Sequence, residues 1–383
     1  MTAQYVVVGG GIAGASVAFH LANAGESVTV YEQGKLAGET TGKSGGIFAF
    51  YGTPVQYRMK QYGMELYNDF LRNGAMSQRY DRLGHLEVAT TEEGAQRVGE
   101  KIAAETDSQP LFERLDGDDI ERRVLFPNLN TEAVEAAVHV PNVGAFDGPA
   151  LTREFAMQAE KAGATITIGT GVTSLRSEDG TVTGIECEDE FVPADGVVLA
   201  AGPWNTRLAS TAGLDLPVGH SLAPILVLDP DIESDYTVPY LNHAESGVYC
   251  IGRDDGTVLV GCHTDGDAET QLDPSDQSEA VPEDLHEQMR SVVADLFPAF
   301  ADAPVVDEWV GIRSVTPDGN PIIGRTEREG LSVVAFDSSG IQLAPSAGRV
   351  VARQLVSDDP TDHYEMISLS RFDGHDDYYS PET

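Results

Sequence analysis

The feature that most constrains the fold is an amino-terminal stretch in which an apolar strand runs directly into glycines. Residues Tyr5–Ser16 read YVVVGGGIAGAS. Gln4–Val8 is apolar and rich in β-branched residues, which predicts a buried parallel strand. Small and apolar residues follow at helical spacing over Ala13–Ala24, and a second strand is predicted at Val28–Tyr31, just before Glu32. A strand, a turn, a helix and a strand within about 30 residues predict a βαβ unit.

The glycines of this unit fit the pattern GxGxxG, with Gly9, Gly11 and Gly14 at its three fixed positions. We expect Gly9 to make the tight turn, Gly11 to let the backbone approach a pyrophosphate, and Gly14 to let the helix pack closely on the sheet. The helix amino terminus then offers N–H groups and partial positive charge to the phosphates. Glu32 stands where an acid accepts hydrogen bonds from a ribose. The unit predicts dinucleotide binding and argues against NADP.

Three later stretches also combine apolar and small residues. Thr40–Ile47 reads TTGKSGGI, a predicted loop whose backbone and hydroxyls can touch a flat ring. Asp195–Trp204 reads DGVVLAAGPW, a predicted buried strand with a small-residue corner beside the nucleotide. Leu331–Pro345 reads LSVVAFDSSGIQLAP, which predicts a strand, a turn and then a helix over Ser346–Val356. We expect the amino terminus of that helix to point at a ligand.

Local patterns also predict elements between these stretches. Gly171–Arg176, Val182–Cys187 and Phe191–Pro193 are typical of a meander of short strands. Gly247–Val260 is predicted to form a hairpin with Asp-Asp-Gly at its turn. Pro282–Phe297 has its apolar residues on one face, which predicts an amphipathic helix.

Composition limits the partners and the compartment. The chain has 62 Asp and Glu against 24 Lys and Arg, a formal net charge of −38 that is spread along its length. Such a surface repels nucleic acid and anionic lipid and suits a salt-rich cytoplasm, as in a halophile. We expect no membrane span, because there is no run of about 18 apolar residues, and no signal peptide. Three cysteines without CxxC spacing indicate a reducing interior, without a disulfide framework or a metal site.

Taken together, the motifs resemble the D-amino-acid oxidase (DAO) superfamily of FAD-dependent oxidoreductases, which includes glycine oxidase and monomeric sarcosine oxidase. The resemblance rests on GGGIAGAS with Glu32, TTGKSGGI, ADGVVLAAGPWNTRLA, GIRSVTPDGNPIIG and SSGIQLAPSAGRVVA, in that order over nearly the whole chain. It implies the α/β class, with a Rossmann-like FAD-binding domain formed by residues 1–80, 145–216 and 311–383. It also implies an α+β substrate domain, built on an antiparallel sheet, from residues 81–144 and 217–310.

The implied cofactor is FAD, bound without a covalent link, and no metal is expected. The residues that we expect to contact FAD are Gly9, Gly11, Ile12, Ala13, Gly14, Glu32, Gln33, Thr40, Thr41, Lys43, Ser44, Gly45, Gly46, Val172, Ala201, Gly202, Trp204, Arg313, Ser339, Gly340, Ile341 and Gln342.

The same resemblance implies candidate catalytic and substrate-binding residues. Arg313 resembles the arginine that holds the substrate carboxylate, which a guanidinium grips through two parallel hydrogen bonds; the alternative is a structural salt bridge. Tyr249 resembles a glycine-oxidase tyrosine that faces the substrate, and the alternative is hairpin packing. His263, in GCHTDG, resembles an active-site histidine of the sarcosine oxidases, and the alternative is a polar residue at a strand end. Tyr51 and Gln342 complete the candidate substrate contacts.

Departures from the family pattern are also informative. Gly311 stands where sarcosine oxidases carry the cysteine that links covalently to flavin, which is why the FAD is expected to be non-covalent. Leu259 replaces the lysine that activates oxygen there, which favours a dehydrogenase that passes electrons to a carrier. Gln342 replaces a lysine that helps to bind carboxylate, which leaves Arg313 as the main anchor. Ala335 and Ser338 replace glycines of the carboxy-terminal turn, so that we expect this turn to differ in detail.

Three functional hypotheses follow from the resemblance. The leading one is oxidation of the C–N bond of a small amino acid or N-methyl amino acid, of the glycine, sarcosine or D-amino-acid type, by hydride transfer to the flavin N5. The second is a 2-hydroxy-acid or glycerol-phosphate dehydrogenase of the same superfamily. The third is a flavin-binding subunit of a larger complex. The electron acceptor, oxygen or a carrier, and the number of subunits stay open.

Overall fold

The structure is a computed structural model that contains helices and strands. Among the residues that it describes, the strands form two large sheets and two small ones. It describes residues 3–50, 52–73, 81–82, 84–105, 113–123, 128–188, 190–230, 240–253, 255–263, 274, 280–357 and 364–374. In chain order the strands are β1 Gln4–Val8, β2 Ser27–Glu32, β3 Ile47–Ala49, β4 Asp81–Arg82, β5 His85–Ala89, β6 Glu113–Leu115, β7 Ala136–Val140, β8 Val143–Ala145, β9 Thr165–Ile168, β10 Val172–Glu178, β11 Thr181–Cys187, β12 Glu190–Pro193, β13 Gly196–Leu199, β14 Gly219–Leu228, β15 Tyr240–His243, β16 Val248–Gly252, β17 Val258–Cys262, β18 Val305–Val315, β19 Ile322–Arg325 and β20 Leu331–Ala335. The helices are α1 Ile12–Asn23, α2 Thr40–Lys43, α3 Pro54–Arg72, α4 Glu92–Glu105, α5 Gly117–Arg123, α6 Gly148–Lys161, α7 Asn205–Thr211, α8 Glu283–Leu296 and α9 Gly340–Ser357.

The first large sheet has the strand order β19-β20-β13-β1-β2-β9, and its strands are parallel except for β19. Its central strand β1 is buried on both faces, because Val6 packs towards the β10–β12 meander and Val7 towards α1 and α9. A strand covered on both faces must be apolar at every position, which is the pattern that the sequence has here. The predicted βαβ unit and the predicted meander are confirmed.

The glycine turn after β1 has the steric roles predicted for two of its glycines. Gly9 has a φ of +106°, a conformation that side chains rarely adopt. A Cβ atom on Gly14 would lie 1.9 Å from the Gly9 carbonyl oxygen and 3.3 Å from Val7 Cγ1. Helix α1 therefore approaches the turn and the sheet as closely as it does only because residue 14 has no side chain.

Helix α9 begins at Gly340, six residues before the helix that the sequence predicted from Ser346, so that prediction was wrong. Proline usually ends a helix, because it lacks the N–H group that bonds to the carbonyl four residues earlier. Here Pro345 lies inside the helix, and the carbonyl in question belongs to Ile341. The buried Tyr67 hydroxyl, on α3, donates a hydrogen bond of 2.6 Å to that oxygen. A tertiary contact thus replaces the missing backbone bond.

Replacing Tyr67 with Phe is expected to lower the free energy of unfolding by about 1–3 kcal/mol, since the buried Ile341 carbonyl then loses its donor. Denaturant titration of both proteins measures the difference. Tyr62→Phe on the same helix is the matched control, because Arg349 contacts the Tyr62 ring, 4.5 Å from its centroid, and the ring is retained. Equal effects of the two substitutions would contradict this role of the Tyr67 hydroxyl.

The second large sheet has the order β18-β14-β17-β16-β15-β5-β7-β6 and is antiparallel except where β15 pairs with β5. The predicted hairpin is β16 and β17, which pair antiparallel from Val248↔Cys262 to Gly252↔Val258. The predicted amphipathic helix is α8, which buries Met289, Val293 and Leu296 against this sheet. Both predictions are confirmed. Strand β18 extends from Val305 to Val315 and so passes residue 310, the predicted end of the substrate domain. The domain limits themselves stay a prediction.

The stretch Thr40–Ile47, predicted as a loop, instead contains the short helix α2 and the start of β3, which pairs with β8 in a small sheet with β4. Tertiary contacts fix it to the second large sheet. The Trp309 indole N–H donates to the Lys43 carbonyl at 3.3 Å, and Lys43 Nζ donates to the Val310 carbonyl at 3.2 Å. The sequence of this stretch alone gave no sign of these partners.

Two further expectations concern single features of the chain. Within the described ranges, no helix is both long enough and apolar enough to cross a lipid bilayer. The cysteines Cys187, Cys250 and Cys262 are free thiols, and all three are buried.

Candidate active site

A cavity of about 680 Å³ lies where residues of both large sheets meet. The carboxyl ends of β1, β2, β13 and β20 contribute Val8, Glu32, Ala200 and Ala335. The second large sheet contributes residues of β14, β15, β16, β17 and β18. Ligands of open parallel sheets bind at the carboxyl ends of the strands, so the cavity has the position that a nucleotide site requires.

One end of the cavity is built from the glycine turn and α1. The Ile12 N–H, in the first turn of α1, donates to Thr41 Oγ1 at 3.3 Å. The Glu32 carboxylate accepts the N–H groups of Gly10 and Gly34, both at 2.7 Å. Each carboxylate oxygen has a further lone pair for a ribose hydroxyl. A Cβ atom on Gly11 would have only Thr41 Oγ1 near it, at 3.6 Å, so this side of the turn is open to a diphosphate.

The lining also brings together Gly45, Gly46, Gly311 and the amino terminus of α9 at Gly340. In the turn before α9, Ser338 adopts a φ of +52°, a conformation that favours glycine. A helix amino terminus carries partial positive charge, which suits an electron-rich carbonyl of a ring. The donor groups of the two helix amino termini in the lining therefore fit a nucleotide with a diphosphate and a flat ring.

Most residues predicted to contact FAD line this one cavity. They are Gly9, Gly11, Ile12, Ala13, Glu32, Gln33, Thr40, Thr41, Lys43, Ser44, Gly45, Gly46, Val172, Ala201, Gly202, Trp204, Arg313, Ser339, Gly340, Ile341 and Gln342. Gly14 is not among the lining residues and lies behind the turn. The contacts of these residues with FAD stay a prediction.

Of the candidate substrate residues, Arg313, Tyr249, His263 and Gln342 line the same cavity. The fifth candidate, Tyr51, lies outside the described residues. The structure therefore brings together four side chains that stand far apart in the chain.

Arg313 is held in place by groups of neighbouring strands. Its Nε donates to the Ser221 hydroxyl at 3.0 Å, because Ser221 on β14 is directly opposite Arg313 on β18. One terminal nitrogen lies 3.4 Å from His263 Nδ1. A guanidinium only donates, so Nδ1 accepts this hydrogen bond and a neutral His263 ring carries its proton on Nε2. The strand register thus orients the guanidinium and selects the histidine tautomer.

Two tyrosines line the cavity beside the histidine, of which Tyr240 is buried and Tyr249 is partly buried. The Tyr249 ring centroid is 4.9 Å from that of His263 and 6.1 Å from that of Tyr240. Burial raises the pKa of Tyr240 to about 12 and raises that of Tyr249 as well. Both phenols therefore stay protonated at neutral pH and act as hydrogen-bond donors rather than bases. Gly261, opposite Tyr249 in the hairpin, leaves room for its ring.

A partly buried carboxyl lies near the guanidinium. Asp337 Oδ2 accepts the Thr316 N–H at 2.9 Å. Burial raises the pKa of the Asp337 carboxyl, while that hydrogen bond and the charge of Arg313 act in the opposite direction. Asp337 is not among the lining residues, so Arg313 presents its positive charge to the cavity without an acid beside it in the lining that the structure describes.

The sequence analysis missed several polar residues of the lining, Gln56, Lys60 and Tyr240 among them. Gln56 and Lys60 come from α3, and Tyr240 comes from β15. The helical spacing of the sequence gave a signal for Gln56 and Lys60. It puts them on the same face of α3 as Gly63 and Tyr67, and this face is buried in the structure. A lysine on such a face contradicts the amphipathic pattern and marks a residue worth examining.

A parallel nucleotide-binding sheet joined to an antiparallel sheet around one cavity defines the class of two-domain dinucleotide-dependent oxidoreductases. The sequence model of the family described as "FAD dependent oxidoreductase" (DAO) matches residues 4–354. The chain therefore belongs to this family of FAD-binding enzymes, which confirms the family and the cofactor that the motifs predicted.

Characterised relatives and a solved structure agree with this assignment. The chain is 26% identical to the glycine oxidase of Geobacillus kaustophilus, over 98% of the chain and 99% of the relative. It is 29% identical to the 4-methylaminobutanoate oxidase (formaldehyde-forming) of Paenarthrobacter nicotinovorans, covering 97% of the chain but 46% of that relative. The crystal structure of L-proline dehydrogenase from P. horikoshii superposes with a TM-score of 0.83 at 22% identity, covering 97% and 98% of the two chains. The predicted α/β architecture with an FAD-binding and a substrate domain is confirmed.

Proposed function

We propose that the protein oxidises the C–N bond of a small amino acid or N-methyl amino acid whose carboxylate is held by Arg313. The observation that carries the proposal is the fixed guanidinium in the cavity, with Ser221 and His263 as its neighbours. Several relatives bear names that specify amine or amino-acid substrates, which supports this class.

Particular residues would hold the cofactor. The glycine turn and the amino terminus of α1 would bind its diphosphate, Glu32 its ribose, and the amino terminus of α9 the polar edge of its ring. When bound, FAD supplies the two-electron acceptor for the oxidation. Gly311 offers no thiol for a covalent link, in keeping with the non-covalent binding predicted from the sequence.

The substrate would be oriented mainly by Arg313. A planar guanidinium binds a carboxylate through two parallel hydrogen bonds and so fixes its direction as well as its position. Orientation of this kind lowers the activation barrier by several kcal/mol. The comparison is with well-oriented intramolecular reactions, in which the barrier is lower by about 7–11 kcal/mol. Positive charge beside the amine also disfavours its ammonium form, and the neutral amine is the form that can be oxidised.

Proton handling would fall to the hydrogen bonds around the amine. A neutral His263 with its proton on Nε2 is a donor at that nitrogen, and the Tyr249 phenol remains a donor because burial raises its pKa. Both groups would therefore position the substrate by donating to it. The buried ring of Tyr240 and the partly buried ring of Tyr249 would also keep water from the reacting carbon.

The test is anaerobic mixing of the purified FAD-bound protein with two panels of compounds. Amino acids and N-methyl amino acids are expected to bleach the visible absorbance of the flavin, and 2-hydroxy acids and glycerol phosphate are expected to leave it unchanged. The reverse result would replace the proposal with oxidation of a C–O bond. Turnover of the isolated protein with an artificial dye as acceptor is also expected, and its absence would favour a subunit of a larger complex.

A further inference from the structure

A segment near the carboxy terminus, residues 364–374, is packed on the first large sheet. It follows residues 4–354, the part of the chain that the family model matches. The Ile323 N–H of the edge strand β19 donates to the Ile367 carbonyl at 2.8 Å. Three apolar side chains of the segment are buried in the cores of this sheet, and these are Ile367, Leu369 and Phe372. The segment therefore has a fixed position beside β19.

Arg371 joins this segment to residues 316–320, the turn that connects β18 to β19. Its Nε and one terminal nitrogen donate to the two oxygens of the Asp318 carboxylate, both at 2.9 Å. The same terminal nitrogen donates to the Asn320 carbonyl at 3.0 Å, and the other one donates to the Ser368 carbonyl at 2.8 Å. Two parallel bonds to one carboxylate fix its direction as well as its position. The Arg371 side chain is only 11% exposed, so salt screens this ion pair less than a surface pair.

The turn of residues 316–320 holds the start of α3. The Gly319 carbonyl accepts a hydrogen bond from Gln56 Nε2 at 2.7 Å, and Asn320 Oδ1 accepts one from the Thr53 hydroxyl at 2.7 Å. Thr53 is the N-cap of α3, and its Oγ1 accepts the Gln56 N–H at 3.4 Å. Gln56 lines the cavity, as does Gly52, the residue before Thr53. The turn therefore supports the cavity wall at the start of α3 through both the backbone and the side chain of Gln56.

The same turn is also bound where β18 ends. Thr316 is 3% exposed and directly follows β18, the strand that carries Arg313. Its N–H donates to Asp337 Oδ2 at 2.9 Å, and its hydroxyl donates to the Asn320 carbonyl at 2.8 Å. A shift of the turn would therefore strain contacts at the end of this strand as well as those at the start of α3.

We propose, on the basis of the function proposed above, that Arg371 is a positioning residue for the substrate and acts on the wall of the cavity through residues 316–320. Arg371 is not among the lining residues in the part of the chain that the structure describes, so it acts through the turn rather than by touching the substrate. Its guanidinium keeps the turn, and with it the Gln56 amide, in place. Without this contact, the start of α3 is held less firmly, and the cost of ordering that wall opposes substrate binding.

The test compares the steady-state kinetics of FAD-bound variants, using whichever compound of the two panels above bleaches the flavin. Arg371→Met is expected to raise KM about 3- to 10-fold, the effect of about one hydrogen bond, and to keep kcat within about twofold, because the wall contributes equally to ground-state and transition-state binding. Arg371→Lys is expected to give an intermediate KM, since an ammonium cannot form the two parallel bonds. Arg72→Met is the matched control, because Arg72 is 70% exposed and pairs with Asp69 at the other end of α3, and its KM is expected to be unchanged.

Hydrogen exchange provides a second measurement that does not depend on turnover. In Arg371→Met the backbone amides of the first turn of α3 are expected to exchange faster, whereas those of α1 keep their rate. Asp318→Asn breaks the same ion pair from the carboxylate side and is expected to have the same effects on KM and on exchange. It also provides the test should Arg371→Met fail to fold.

The outcomes separate this inference from the proposed function. An unchanged KM in both variants would overturn the inference even if their free energy of unfolding were lower, because Arg371 would then only stabilise the fold. Unchanged exchange in the first turn of α3 would overturn it as well. Bleaching by 2-hydroxy acids alone would contradict C–N oxidation instead, and the comparison of KM values would then decide the role of Arg371 with that substrate.

Discussion

Arg313→Met is expected to lower kcat/KM for a carboxylate-bearing amine by about 30- to 1000-fold, a loss of about 2–4 kcal/mol. The reason is that the substrate carboxylate loses its charge-assisted partner in the cavity. Steady-state kinetics on the FAD-bound variant measure the effect. Arg313→Lys is expected to recover only part of it, because an ammonium lacks the planar pair of donors.

Two controls define the origin of this effect. A substrate in which an amide replaces the carboxylate is expected to react with both proteins at similar rates, since Arg313 has no charge to bind there. Arg176→Met removes an exposed arginine, which lies 2.9 Å from Glu186 on the meander, and is expected to leave the kinetics unchanged. A similar loss on the amide substrate would mean that Arg313 maintains the structure and does not clamp a carboxylate.

Gly14→Ala is expected to lower the free energy of unfolding by about 3 kcal/mol and to lower FAD retention strongly. The added Cβ would lie 1.9 Å from the Gly9 carbonyl oxygen, so the turn or α1 must move. Either movement displaces the helix amino terminus from the diphosphate. The denaturant midpoint and the ratio of flavin to protein after purification measure the two effects.

Gly99→Ala is the matched control for this substitution. A Cβ atom on Gly99, within α4, would have no atom within 4 Å. Alanine is a better helix former than glycine, so we expect a gain of about 1 kcal/mol or less and unchanged FAD content. If Gly14→Ala behaved like Gly99→Ala, the glycine turn would not control the position of α1.

The parts of the fold that the sequence predicted share a short-range origin. The strand β1, the glycine turn and α1 are specified by steric demands within about 30 residues. The β16–β17 hairpin and the amphipathic helix α8 follow from local periodicity in the same way. The clustering of Arg313, Tyr249, His263 and Gln342 followed from the family resemblance rather than from any local pattern.

The parts that the sequence did not predict depend on partners distant in the chain. Helix α9 passes through Pro345 because Tyr67, 274 residues away from Ile341, supplies the missing donor. Helix α2 forms in a glycine-rich stretch because Lys43 is anchored to β18. Lys60 is buried because α3 is held by Gly319 and by Ser346 of α9, which are distant in the chain.

The sequence by itself determined the nucleotide-binding turn, the strands beside it and the family, because these are set by backbone sterics and side-chain periodicity over short spans. Only the tertiary structure decided where the carboxy-terminal helix begins, which tautomer His263 adopts and which cations face the cavity. Those properties depend on tertiary hydrogen bonds and on burial. Both involve residues that are distant in the chain, so no local sequence pattern predicts them.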